Sequence, residues 1–251
     1  MNDTLRALSA RKSMRVFENR AIDPAVRAAL LEAAFQAPTA GNQMLYTIID
    51  ATDPALKAAL AEQCDHQPFI ATAPLVLIFL ADCRRWLDTY RAAGLAPRRP
   101  GQGDILLATA DAVIAAQNVV VAAESYGLGS CYIGDILEHC EDIRALLSLP
   151  EEVLPAAMLV IGYPTPQQQA RKKPARFDGR FIVFENAYRT LTPQEHRAMY
   201  LERAARDGRA DADFEAQMEA FWKRKYESDF SREMSRSAAV YLRAFAPTDQ
   251  E

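Results

Sequence analysis

Two segments near the start of the chain have apolar residues at the three- and four-residue spacing that is typical of helices. Asp23-Pro24 precedes AVRAALLEAAFQA (25–37), and Asp53-Pro54 precedes ALKAALAEQC (55–64). An aspartate that can cap a helix, followed by a proline in the first turn, is typical of a helix N-terminus. We therefore predict a helix after each pair.

The longest helical pattern is GDILLATADAVIAAQNVVVAAESYG (103–127), and Gly127 is suited to end it. Its apolar residues cover almost the whole circumference, so we expect the helix to lie inside the protein or at a subunit interface. Asp111, Gln117 and Asn118 interrupt the apolar run, which makes a membrane span a poor interpretation.

Apolar runs of strand length form a second pattern. PLVLIFLAD (74–82) is uninterrupted, which is typical of a central strand buried on both faces. The other runs are LYTIID (45–50), SCYIGDI (130–136), AAMLVIGYP (156–164) and RFIVFEN (180–186). From about residue 188 the chain becomes charged and helical, with recurring aromatic residues. We predict an α+β domain at 1–187, and a helical C-terminal extension at 188–251 that packs on the core or on a partner subunit.

The composition of the chain excludes several classes of function. The 251 residues include 33 acidic and 29 Lys and Arg side chains, giving a net charge of -4, which argues against nucleic-acid binding. Four cysteines without CxxC spacing and three scattered histidines predict no metal site. We expect reduced, packing cysteines in a cytoplasmic protein with no signal peptide. None of the common nucleophile or phosphate-loop motifs occurs.

Four stretches are suited to chemistry: RKSMR (11–15), PTAGN (38–42), YIGD (132–135) and RKKPAR (171–176). Cations beside a hydroxyl group suit a phosphate, because charged donors make the stronger hydrogen bonds. Small residues in a loop, or a glycine after a strand, let a ligand approach the backbone. Together they favour a flat, phosphorylated cofactor, although each alone also fits a solvated rim or a simple turn.

The order of these stretches resembles the nitroreductase family, FMN-dependent homodimeric NAD(P)H oxidoreductases, from about residue 5 to 188. The resemblance is carried by RKSMRVF, AFQAPTAGNQ, AAQNVVVAAESYGLGSCYIGDI, VIGYP and KKPARF. It implies a central, mostly antiparallel sheet flanked by helices. The helical tail is similar to the larger subgroup, which includes NADPH-dependent oxygen-insensitive nitroreductases and flavin reductases.

The resemblance also implies which side chains bind the cofactor. Arg11 and Ser13, with Lys12 beside them, match the FMN phosphate site, and Lys173 and Arg176 match a second cationic pair. The basic loop is one residue longer than usual, so Lys172 can take the place of Lys173. Arg15 matches a cation near flavin N1 and O2, and Gln67 matches an amide that reads the pyrimidine edge.

Two backbone segments match family segments that touch the flavin ring. Pro38, Thr39, Ala40, Gly41 and Asn42 match a loop that crosses from the other subunit. Tyr132, Ile133, Gly134 and Asp135 match the segment beneath the isoalloxazine, with the backbone of Gly134 and Asp135 near N5. Two departures stand out. The loop continues as N-Q-M-L rather than N-x-Q-P, and Asp135 replaces a second glycine, adding negative charge near the ring.

The implied activity passes hydride from a nicotinamide through flavin N5 to nitroaromatics, quinones or flavins by a ping-pong mechanism, with no catalytic side chain. The implied partners are a second copy of the chain, with FMN at the interface, and a small-molecule acceptor. Alternatives are a specialised flavin reductase or dehalogenase-type enzyme with another acceptor, and a non-catalytic FMN-binding protein. Arg236 is the candidate for an NADPH 2'-phosphate, or else part of a solvated helix face.

Overall fold

The computed structural model describes residues 1–247, which form two compact units. The first contains Met1–Arg171 and the described residues from 233 onward, and the second is Lys172–Arg232. The strands are β1 Tyr46–Asp50, β2 Leu75–Asp82, β3 Gly129–Ile133 and β4 Val153–Gly162. The helices are α1 Asp3–Ala10, α2 Pro24–Phe35, α3 Pro54–Gln63, α4 Pro68–Thr72, α5 Arg84–Ala92, α6 Gln102–Ser125, α7 Cys140–Leu147, α8 Pro166–Ala170, α9 Pro193–Arg206, α10 Phe214–Lys225 and α11 Asp229–Leu242.

The four strands form one antiparallel sheet in the order β1-β2-β4-β3. Every residue of β2 is buried, which confirms the prediction of a central strand covered on both faces. Asp23 and Asp53 cap α2 and α3, each accepting a hydrogen bond from the backbone two residues on. The α+β fold predicted from the sequence is therefore confirmed.

Helix layers cover both faces of the sheet. On one face α2 and α6 pack against it, with Leu30, Val119 and Phe79 in a shared cluster. On the other face α3, α4 and α7 bury residues such as Leu60 and Ile143. The four cysteines are buried and free, as predicted.

Helix α6 combines a buried and an exposed apolar face. It is long and apolar enough to cross a membrane by length and composition alone, but the core helix of a soluble protein passes the same test. Nine of its residues are buried within the protein. Leu106, Leu107, Val113 and Ile114 on the remaining surface are 39–69% exposed. The interior position predicted for this helix is thus confirmed for one of its faces.

The fifth strand expected at RFIVFEN is wrong. Gly179–Phe181 is a 3-10 turn, begun by Asp178, whose carboxylate accepts the Arg180 N–H. Ile182 and Val183 are 61% and 75% exposed. The apolar run that contains them suits a strand, but no strand among residues 1–247 pairs with it, so the backbone turns instead.

The second unit is helical around a small aromatic contact. Thr192 and Glu195 form a capping box that begins α9. Tyr200 and Phe214 join α9 to α10 through an edge-to-face ring contact at 5.9 Å. Further along α10, Phe221 and Trp222 are 41% and 50% exposed. The compact units divide the chain at 171/172 and 232/233, and the expected boundary at 187/188 stays a prediction.

Candidate functional site

A pair of facing glycines seats the N-terminal segment 13–17 on the end of the sheet. Gly129 of β3 and Gly162 of β4 lie opposite each other. A Cβ on Gly129 would lie 2.6 Å from Met14 Cγ, and a Cβ on Gly162 would lie 2.8 Å from Phe17 Cγ. The Met14 N–H donates to the Ser130 carbonyl at 2.9 Å. Glycine is therefore needed at both positions for this segment to reach β3.

This placement brings Arg11 to β3. Burial raises the pKa of Tyr132 to about 12, and the Arg11 charge opposes the rise. Arg11 Nη1 and Ser130 Oγ are buried and have no hydrogen-bond partner among the described residues. An unsatisfied buried donor costs about 1–3 kcal/mol. A guanidinium in this state is prepared to donate to an anion.

Arg15, Asp135 and Gln67 lie around the same strand end. Burial raises the pKa of the Cys131 thiol; Arg15 opposes this shift and Asp135 adds to it. Burial also raises the pKa of Cys64 to about 12, with Asp135 adding to the shift. Gln67 Nε2 donates to the Cys64 carbonyl at 2.8 Å. The fold thus gathers these predicted site residues from distant parts of the chain.

The segment after β3 is open on one side and acidic on the other. Gly134 is exposed, and a Cβ there would meet nothing within 4 Å. The 3-10 turn Asp135–Leu137 follows, while Ile133 is buried. Glu138 is only 4% exposed, and burial, reinforced by the charge of Asp135, raises its pKa to about 7. Glu138 is not among the residues predicted from the sequence.

Lys12 is engaged by the protein itself. Its Nζ donates to the carbonyl of Gln169 at 2.6 Å and to that of Arg171. The Arg15 N–H donates to Gln168 Oε1 at 3.2 Å. These bonds fasten the N-terminal segment to α8 and the residue that follows it, so they give Lys12 a structural role.

The predicted loop 38–42 is organised by α6. Thr39 Oγ1 and the Ala40 N–H donate to the carboxylate of Asp111, the latter at 3.0 Å. Gly41 and Asn42 have φ angles of 56° and 57°. In the sequence, Asp111 indicates only that α6 is a poor membrane span. An acid in the middle of an apolar helix is a signal of a buried partner, but it does not identify that partner.

The basic loop belongs to the second unit from Lys172 onward. Lys172 Nζ donates to the Arg206 carbonyl at 3.1 Å, and the Ala175 N–H donates to Asp207 Oδ1 at 2.8 Å. Lys173 is half-buried and Arg176 is exposed. Of the two lysines that could meet a phosphate, Lys172 is therefore held at the C-terminus of α9, where a cation is favourable.

Arg236 has a different environment from the one expected of a phosphate-binding residue. Both terminal nitrogens donate to Glu141, each at 2.8 Å, and Nε donates to Glu233 at 2.8 Å. Glu233 also accepts the His139 N–H at 3.1 Å. The role of Arg236 at a 2'-phosphate stays a prediction, which these two carboxylates disfavour.

Sequence comparison places the chain among known proteins. The model of the nitroreductase family matches residues 8–163. An oxygen-insensitive NADPH nitroreductase of Salmonella typhimurium is 34% identical over 193 residues, covering 76% of this chain and 77% of that protein. An NAD(P)H-dependent FMN reductase of Bacillus subtilis is 28% identical, covering 100% of this chain and 96% of its own. The chain belongs to the nitroreductase family.

Comparison of structures agrees. NfrA2 of B. megaterium superposes with a TM-score of 0.77 at 28% identity, covering 94% of this chain and 98% of that one. The likeness therefore spans both the sheet and most of the C-terminal helices, and the resemblance inferred from the motifs is confirmed.

Proposed function

We propose that this chain is an FMN-dependent NAD(P)H oxidoreductase that reduces nitroaromatics, quinones or flavins. The observation that carries the proposal is the buried, unpartnered Nη1 of Arg11 at the edge of β3, beside Ser13. The proposal rests also on membership of the nitroreductase family and on the activities of the relatives.

The residues present fit FMN. Arg11 would donate to its phosphate together with Ser13. The assignment of Lys173 and Arg176 to the same phosphate stays a prediction from the family resemblance. Arg15 would offset the charge at the pyrimidine edge, and Gln67 would hydrogen-bond to it. The ring would rest against Tyr132–Asp135 of one copy of the chain and against the loop 38–42 of the other copy, with the open surface at Gly134 leaving room for it.

Bound FMN would supply the redox chemistry, accepting two electrons and a proton from the nicotinamide and returning them to the acceptor. The chain's part is to bind, orient and exclude water. No described side chain is required as a nucleophile. We propose a ping-pong order, in which the oxidised nicotinamide leaves before the acceptor enters the same space.

We propose further that the protein is a cytoplasmic homodimer with the cofactor at the interface. The exposed apolar residues of α6, including Leu106 and Leu107, form a face suited to a partner subunit. In the second unit Trp222 and Tyr226 are 50% and 71% exposed. Light scattering of the purified protein should give twice the chain mass of 27.9 kDa.

The decisive experiment is anaerobic stopped-flow spectroscopy of the purified holoprotein. The protein should be yellow, and its visible absorbance should bleach on addition of NADPH or NADH. Recovery should then follow addition of a nitroaromatic, a quinone or a free flavin, and initial velocities should give parallel double-reciprocal lines. A colourless protein that takes up no FMN would refute the proposal.

Two results would point to the alternatives. FMN binding without bleaching by either nicotinamide would indicate a non-catalytic flavin-binding protein. If the flavin is bleached by a nicotinamide but none of the panel acceptors restores its absorbance, the protein is a specialised reductase with another acceptor. Fractionation of the producing cells tests the cytoplasmic assignment separately.

A further inference from the structure

One carboxylate in α6 organises the loop from Thr39 to Leu45. Asp111 is 4% exposed and lies midway along the helix. Its Oδ1 accepts the Ala40 N–H at 3.0 Å, and its Oδ2 accepts the Leu45 N–H at 3.2 Å and the Thr39 hydroxyl. Thr39 Oγ1 in turn accepts the Met44 N–H at 2.8 Å. The loop is therefore folded around a single side chain about 70 residues distant in sequence.

The loop has an unfavourable backbone that needs such support. Gly41, Asn42 and Met44 have φ angles of 56°, 57° and 51°. Only glycine adopts this left-handed region freely, so Asn42 and Met44 are held there by their surroundings. Strain of this kind persists only where neighbouring contacts fix the backbone, and it is frequent at ligand-binding sites.

Helix α5 holds the opposite side of the loop. Trp86 Nε1 donates to the Gln43 carbonyl at 2.9 Å, and Arg85 donates to the Met44 carbonyl at 3.0 Å. Asp111 thus accepts from the loop's N–H groups while α5 donates to its carbonyls. The complementary donors and acceptors fix the loop from two directions.

The chemistry of the contact requires a carboxylate. Both oxygens of Asp111 face donors only, and an ionised carboxylate offers acceptors at both. An asparagine of the same size would present an NH2 group to at least one of these donors. A substitution of one atom therefore removes a hydrogen bond and sets two donors against each other.

We propose that Asp111 is a positioning residue for the cofactor site, fixing the Thr39–Leu45 loop in the conformation that contacts FMN. This inference rests on the proposed function, because that proposal places FMN against residues 38–42. Asp111 itself lies beneath the loop and acts through Thr39 and Ala40.

The test compares Asp111→Asn with the wild-type holoprotein. Amide hydrogen exchange at Ala40 and Leu45 should accelerate by about tenfold or more, since each amide loses a bond to a charged acceptor or gains a repulsive neighbour. The FMN dissociation constant should rise by roughly ten- to a hundredfold for the same reason. The visible circular dichroism of bound FMN should change, a signature that mere loss of stability would not produce.

Asp104→Asn is the matched control on the same helix. Asp104 accepts the Gly101 N–H at 2.7 Å and pairs with Arg98, so the same substitution also removes hydrogen bonds there. We expect FMN affinity within about twofold of wild type, because exposed ion pairs contribute little. If Asp111→Asn does not fold, Thr39→Val removes the hydroxyl that donates to Asp111 and accepts the Met44 N–H, so hydrogen exchange at Met44 should accelerate and the FMN dissociation constant should rise as expected for Asp111→Asn.

Two outcomes would overturn the inference. Unchanged exchange at Ala40 and Leu45 in Asp111→Asn would show that the carboxylate does not fix the loop. Faster exchange with wild-type FMN affinity and circular dichroism would show that the loop does not position the cofactor. Failure of the wild-type protein itself to bind FMN would refute the proposed function instead, so the two failures are distinguishable.

Discussion

Arg11 and Arg236 were both predicted to meet a phosphate, and the structure gives them opposite surroundings. Arg11 Nη1 is buried without a hydrogen-bond partner in the described part of the chain. Arg236 donates to Glu141 through both terminal nitrogens and to Glu233. One guanidinium retains a donor for a ligand, whereas the charge of the other is already offset. The acceptors around a cation therefore identify an anion site better than the cation does.

The difference extends to the neighbouring residues. Two further cations, Lys12 and Arg15, follow Arg11 in the segment 11–15. Around Arg236 the carboxylates of Glu141 and Glu233 approach within 2.8 Å, and the buried Glu138 feels the negative charge of Glu233. An anion is therefore attracted to the region of Arg11 and repelled by the carboxylates around Arg236.

The largest expected effect is at Arg11. Arg11→Ala should weaken FMN binding by about 2–3 kcal/mol, or roughly 30- to 150-fold, because it removes a charge-assisted hydrogen bond to the phosphate. Titration of apoprotein with FMN, followed by flavin fluorescence, measures the change. Lys12→Met is the control, since its ammonium is already bound to the Gln169 and Arg171 carbonyls.

Equal losses in the two variants would contradict the comparison. They would mean that general positive charge near β3, rather than the unpartnered donor of Arg11, retains the cofactor. A much smaller loss in Lys12→Met would support the distinction.

The sequence predicted the elements whose signal is local. The uninterrupted apolar run of β2 and the long apolar helical run of α6 each indicate their own secondary structure. RFIVFEN has an equally clear strand pattern, but Ile182 and Val183 find no pairing strand in the described residues and remain exposed. A strand needs a partner, and a local pattern cannot supply one.

The candidate site shows the same limit. The cations of RKSMR are visible in the sequence, whereas the pairing of Arg236 with Glu141 joins residues 95 positions apart. The contact of Asp111 with Thr39 spans 72 positions. Glycines at 129 and 162 suggest close approach, but only the sheet register shows that Met14 and Phe17 occupy the space. Non-local pairing decides which polar residues are available.

The next largest effect is expected at Glu138, in the acidic region. Its folded-state pKa of about 7 exceeds the ordinary value of 4.5, so the folded state binds the proton more tightly than the unfolded state. Wild-type stability should therefore fall as pH rises from about 4.5 to 7 and level off above. Glu138→Gln should be more stable than wild type by about 1–2 kcal/mol at pH 8, and nearly equal to it at pH 4.5.

Urea unfolding at both pH values measures this difference. Glu32→Gln, on an exposed part of α2, controls for the loss of one negative charge. A stability gain for Glu138→Gln that is the same at pH 4.5 and pH 8 would show that the carboxyl does not titrate in this window.

A smaller effect is expected at Arg15, on the reduction potential of bound FMN. Its side chain is exposed, so solvent screens its charge more than that of Arg11. Arg15→Ala should lower the reduction potential of bound FMN by about 30 mV, which corresponds to about 1.4 kcal/mol for two electrons. Spectroelectrochemical titration measures the potential, and Arg15→Lys should restore most of it. An unchanged potential in Arg15→Ala would remove Arg15 from the flavin's electron-rich edge.

The smallest effect is expected at Arg236, where the comparison is sharpest. Arg236→Met should leave the ratio of kcat/KM for NADPH to that for NADH within about twofold of wild type, because two carboxylates already occupy the guanidinium. A residue that bound the 2'-phosphate would instead lower this ratio by about tenfold or more. Steady-state rates with both nicotinamides separate the two cases. Glu141→Gln is a second test. If the carboxylates exclude a phosphate, this variant releases Arg236 from one of them and should raise the ratio of kcat/KM for NADPH to that for NADH. Adding Arg236→Met in a double variant should cancel that gain.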